Sequence, residues 1–161
     1  MLSFYDWLLF LHVASAFALV AALVVYWAIA LAGRDVDRPR DSLRYFRIAR
    51  PANVLIIGGT VGTLLFGIWL AIDAEEYEVW DGWIIAAFVL WAIAAFTGQR
   101  GGKTYAQASK VAERLDGEGR GDEPSPELRT LLKDRNAMWL NVASSAAVLA
   151  LLVDMIYKPG A

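Results

Sequence analysis

The chain has no cysteine and a single histidine, His12, among its 161 residues. The first absence excludes disulfides, thiolate nucleophiles and thiolate metal sites. The second excludes bis-histidine haem ligation within one chain. Phosphate-cradling loops, paired catalytic carboxylates and nucleophile–base spacings are also missing, so no catalytic or metal-ligating set is nominated. No acidic residue falls in the middle of a long apolar run, which leaves a proton or cation relay without support. The formal net charge of −2 predicts no nucleic-acid partner.

What is present is apolar and segregated. Hydrophobic residues make up 58% of the chain, against roughly 45–50% in an average soluble domain. They gather in four runs with nearly all charges between them, because a charge in hydrocarbon costs several kcal/mol. Backbone groups in lipid must be satisfied within each segment, and no barrel-like alternation is seen. The fold class expected is therefore all-α, a polytopic four-transmembrane-helix bundle forming one domain over 1–161. The expected spans are about 5–32, 51–73, 79–99 and 135–157, joined by charged loops at 33–50 and 100–134 and an outer loop at 74–78. The first run resembles a signal peptide only superficially. Its start has Asp6 and no Lys or Arg, and its apolar stretch exceeds a 7–15-residue signal core.

Charge sets the expected orientation. Arg34, Arg38, Arg40, Arg44, Arg47 and Arg50 crowd the first connection, and Arg100, Lys103, Lys110, Arg114, Arg120, Arg129, Lys133 and Arg135 the third. "DAEEYEVWDG" between them has no cation. Cation excess marks the cytoplasmic side, so both termini are expected outside, in a bacterial plasma membrane crossed several times. Trp7, Trp80, Trp83 and Tyr157 would form an outer aromatic belt. "SLRYFRIARP" reads as a short interfacial segment on anionic lipid, ending at Pro51, within the lipid-binding Arg34–Arg50 loop. "GKTYAQASKVAERLD" can prolong the third span, although Gly101-Gly102 weakens continuity. "DGEGRGDEPSP" reads as a flexible linker. Ser125 as N-cap and Pro126 as first residue would start the fourth helix well inside the cytoplasm.

Few residues inside the spans could carry chemistry. His12 reads either as a haem or copper ligand or as a buried histidine with one hydrogen bond, to Ser15 or a neighbouring helix. Asp154 either accepts a bond from Trp7 or His12 or caps the outer end of its helix. In "IIGGTVGTLLFG", Gly58 and Gly62 form GxxxG, and Gly59, Thr63 and Gly67 continue at four-residue spacing. Such a stripe lets backbones approach closely, here within the chain in preference to a homodimer seam. Asn53, Asn141, Ser144 and Ser145 read as interhelical hydrogen-bond glue or the lining of a narrow polar path.

Three stretches carry a family resemblance. "WLLFLHVASAF" in the first helix, "GTLLFGIWLA" in the second and "LLVDMIYKPGA" at the end resemble the DUF2269 group of small integral membrane proteins. That group is loosely similar to the copper-resistance D-like and HemJ-like membrane proteins, which also place a histidine in an early helix. The resemblance implies a haem or copper role for His12 alone, and no settled activity.

The leading functional expectation is a non-catalytic scaffold, accessory subunit or homo-oligomer, as a homodimer or within a larger membrane complex. A haem- or copper-binding protein using His12 is the alternative. A small transporter or channel using the Asn141, Ser144 and Ser145 face is the third reading.

Overall fold

A computed structural model describes residues 3–73, 78 and 80–159. The expected outer loop, 74–78, lies outside them except for Glu78. The described residues form five α-helices, α1 Phe4–Gly33, α2 Pro39–Asp73, α3 Gly82–Gly117, α4 Pro126–Leu132 and α5 Arg135–Tyr157. Four stretches are long and apolar enough to cross a membrane, namely α1, α2, α3 and the α4–α5 stretch. At 30 residues, α1 alone is ~45 Å long, more than the ~30 Å hydrocarbon core.

Local chemistry sets the ends. The Ser3 hydroxyl accepts from the Asp6 amide, and the Asp6 carboxylate accepts from the Ser3 amide at 2.7 Å, a capping box that opens α1. The Ser125 hydroxyl accepts from the Leu128 amide and Pro126 follows it. The helix begun there stops after seven residues. Asp134 then starts α5 by accepting from the amides of Asn136 and Ala137.

The helices associate in pairs. α1 lies mainly on α2, α3 mainly on α5, and α2 against α3 joins the pairs. Leu19, Ala94, Ala147 and Val148 form the central core, with Val20, Leu23 and Ile56 around it. Phe4 stacks edge-on against Trp69 at 5.4 Å, and Lys158 lies over the Trp83 ring at 5.4 Å. Both ends of the described chain therefore share one end of the bundle.

The opposite end of the bundle is a cap. The stretches 33–50 and 100–134 hold the start of α2, the end of α3 and all of α4. α2 starts at Pro39 and runs through Pro51 without ending there. Proline removes one amide, leaving the Arg47 carbonyl without its helical partner. Both residues are exposed, so water or headgroups can satisfy that oxygen. α3 also runs unbroken through Gly101-Gly102. Gly101 is needed for contact, because a β-carbon there would stand 2.7–2.8 Å from the Asn141 amide.

The cap has its own small core. Ala108, Ala112 and Leu128 are fully buried, with Leu43, Phe46, Leu131 and Leu132 packed against them. "DGEGRGDEPSP" is tied down, not left as a flexible linker. The Arg40 amide donates to the Gly121 carbonyl at 3.0 Å, and the Ser125 amide to the Asp37 carbonyl at 2.9 Å. Gly119 takes a left-handed φ of 81°, which turns the chain after α3. The Arg40 side chain pairs with Asp116 and Asp122, and Arg114 with Glu127. The hydrogen-bonding ammonium of Lys133, 3.0 Å away, holds the Asp35 carboxyl below its ordinary range.

Candidate functional site

Glycines stand against several of the polar side chains inside the spans. On α2 the face toward α1 is formed by Gly59, Gly62, Thr63 and Gly67. A β-carbon at Gly59 would stand 2.9 Å from the Leu19 nitrogen and the Ser15 carbonyl oxygen. One at Gly62 would collide with the Ser15 hydroxyl, and one at Gly67 would lie 3.0 Å from His12 Cε1. Gly58 has nothing within 4 Å, so it is not part of this seam. The Thr63 hydroxyl donates to its own helix, to the Gly59 carbonyl at 2.8 Å.

His12 is half-buried in that seam. Its ring faces the Gly67 backbone, and the Thr63 carbonyl is its polar neighbour. The Nδ1 atom is buried and has no hydrogen-bond partner. The bond to Ser15 is not made. Ser15 lies one turn along, but its hydroxyl donates to the Leu11 carbonyl at 2.7 Å. A serine on a helix reaches its own preceding turn more readily than a side chain beyond it.

The α3–α5 seam repeats the logic. A β-carbon at Gly98 would stand 2.8 Å from the Ser144 hydroxyl. That hydroxyl donates across the seam to the Ala94 carbonyl at 2.8 Å. Asn141 donates to the Ala137 carbonyl, and Ser145 to the Asn141 carbonyl. Ser145 also accepts from the Trp27 indole at 2.9 Å, linking α1 to α5. The Trp91 indole donates to the Thr60 carbonyl at 3.0 Å, linking α3 to α2. Interhelical bonds of this kind are worth roughly 0.6–2 kcal/mol each.

Asn53 is exposed on α2 and lines a cavity that Asn141, Ser144 and Ser145 do not reach. Asp154 is buried, and its Oδ2 has no hydrogen-bond partner. Its backbone carbonyl accepts the Lys158 amide at 2.8 Å, closing α5. Trp7, Trp80 and Tyr157 are exposed, whereas Trp83 is buried and faces Lys158. Among the described residues, no three His, Cys, Asp or Glu side chains are grouped as a metal would need.

Sequence reading missed the Gly98/Gly101 seam, the two indole links and the cap core. Small residues at helical spacing, Gly98-x-x-Gly101 and Ala108-x-x-x-Ala112, were the available signals.

The DUF2269 family model, described as a predicted integral membrane protein, matches residues 6–159. The chain belongs to the DUF2269 family. As a DUF2269 member it is an integral membrane protein with four membrane-spanning helices, seated in a lipid bilayer. The matched region covers all five helices except Phe4 and Tyr5. No curated protein and no solved structure matches the chain.

Proposed function

We propose that this DUF2269 protein is a non-catalytic component of a bacterial plasma membrane, serving as a scaffold, accessory subunit or homo-oligomer, with both termini outside. The observation that carries this reading is where the polar side chains go. Trp27, Trp91, Asn141, Ser144 and Ser145 all spend their hydrogen bonds on holding helices or on their own backbone. The glycine face of α2 is filled by α1, which favours a packing role for it within the chain. Large apolar side chains such as Phe17, Val54, Ile57 and Leu149 are exposed and available to lipid or a neighbouring subunit. The cation excess of the cap supports its cytoplasmic placement. Exposed Arg44, Arg47 and Arg50, with Ile48 between them, suit contact with anionic lipid at the membrane surface.

A haem or copper centre on His12 fits the geometry poorly. The Cε1–Nδ1 edge of the ring abuts Gly67, which leaves no room on that side for a porphyrin plane. His12 then acts as a wedge in the α1–α2 seam. The test is an absorption spectrum and metal analysis of protein purified in mild detergent. A colourless sample with less than about 0.1 metal per chain is expected, since among the described residues no three His, Cys, Asp or Glu side chains are grouped. A Soret band or stoichiometric copper that His12→Ala abolishes would overturn the reading.

A further inference from the structure

A cavity of ≈ 400 Å³ lies where the spans meet the cap, between α1, α2 and α3 with Leu132 at its edge. Its volume falls within the ~300–1,000 Å³ of small-molecule sites. Ile29 and Phe46 give it apolar walls. Among its lining residues, Ser42 is 2% exposed and its Oγ has no hydrogen-bond partner, whereas the Tyr26 hydroxyl lies beside that of Tyr105. Arg50 and Lys110 also line it, both exposed and neither in an ion pair among the described residues. Glu113 contributes the one carboxylate, so the lining carries a net positive charge.

The surroundings indicate where the occupant comes from. Val24, Leu31 and Ile48, on the helices that form the cavity, are 65%, 59% and 63% exposed. They present apolar surface to acyl chains. The cavity thus joins the apolar surface of the spans to two cations, Arg50 and Lys110.

We propose that this cavity is a binding site for one anionic phospholipid, its phosphate held by Arg50 and Lys110 and its acyl chains lying on the exposed apolar faces of α1 and α2. This differs from diffuse attraction of lipid to the surface arginines, and it holds whether or not the chain is an accessory subunit.

Native mass spectrometry of the full chain, in detergent with added dioleoyl phosphatidylglycerol or dioleoyl phosphatidylcholine, tests it. One phosphatidylglycerol is retained per chain, with about tenfold preference over phosphatidylcholine, as expected for two cations near a phosphate. Ala49→Phe fills the cavity and leaves every arginine in place, and it abolishes the preference. Arg50→Gln reduces it severalfold. Circular dichroism and a monodisperse elution profile confirm that each variant folds, and Ala106→Leu fills the cavity from α3 should Ala49→Phe not fold. Equal retention of the two lipids overturns the proposal. So does a preference that survives both cavity-filling variants, which assigns it to the surface, or glycerol phosphate competing as well as the intact lipid, which assigns it to a soluble ligand.

Discussion

Gly59→Leu separates α1 from α2, while Gly58→Leu, one residue earlier, leaves the bundle intact. The two glycines are neighbours in sequence and equivalent in composition, but a side chain at Gly59 would enter the backbone of α1. The atoms it meets are the Leu19 nitrogen and the Ser15 carbonyl oxygen at 2.9 Å. No rotamer change relieves a clash with backbone, so the helices must move apart. The loss is expected at or above the ~1–3 kcal/mol of ordinary core overpacking. A side chain at Gly58 meets nothing within 4 Å and points away from the bundle. Thermal unfolding of both variants in one detergent, followed by elution profile, checks this. Equal destabilisation by the two changes would mean that the seam is not where these contacts put it.

The second large effect is in the cap. Leu128→Ala empties the middle of the small core formed with Ala108 and Ala112, where Leu128 is fully buried. Leucine-to-alanine changes at such positions cost about 2–5 kcal/mol. Few other apolar side chains hold α4 in place, so the loss falls on local opening of the cap and leaves the spans standing. Trypsin is expected to cleave at Arg120 and Arg129 at least about tenfold faster than in the unaltered chain, each 1.4 kcal/mol of opening being tenfold. An unchanged cleavage rate would mean that the cap is held by its ion pairs and not by its core.

These two predictions mark the limit of what could be read from the residues. Four apolar runs separated by charge announce four crossing helices, because hydrocarbon tolerates almost nothing else. Which face of each helix meets its neighbour is hidden by the same physics. In lipid, apolar side chains suit both the neighbour and the acyl chains, so no 3.6-residue pattern separates them. The stripe from Gly58 to Gly67 was legible as a close-approach surface, but not the choice of Gly59 over Gly58. His12 was legible as unusual for its setting, and its place against Gly67 was not, because that requires the register between α1 and α2. The cap was legible in part: the helical composition after Gly101-Gly102 and the Ser125–Pro126 start pointed to helices beyond the spans, but not to their packing. Its arginines and acids dominate the composition of 33–50 and 100–134, whereas its core rests on Ala108, Ala112 and Leu128. The cavity between cap and spans could be read from none of these segments alone.

The absence of native cysteine makes the central claim directly measurable, since every single-cysteine variant has a clean background. That claim is four crossings with the helical cap gathered on one face of the membrane. Exposed Trp80, Pro159 and Glu118 are replaced by cysteine one at a time, and sealed vesicles are treated with a membrane-impermeant maleimide from either side. Trp80→Cys and Pro159→Cys are expected to label from one side and Glu118→Cys from the other. Labelling of Trp80→Cys and Glu118→Cys from the same side would mean that α3 does not cross the bilayer.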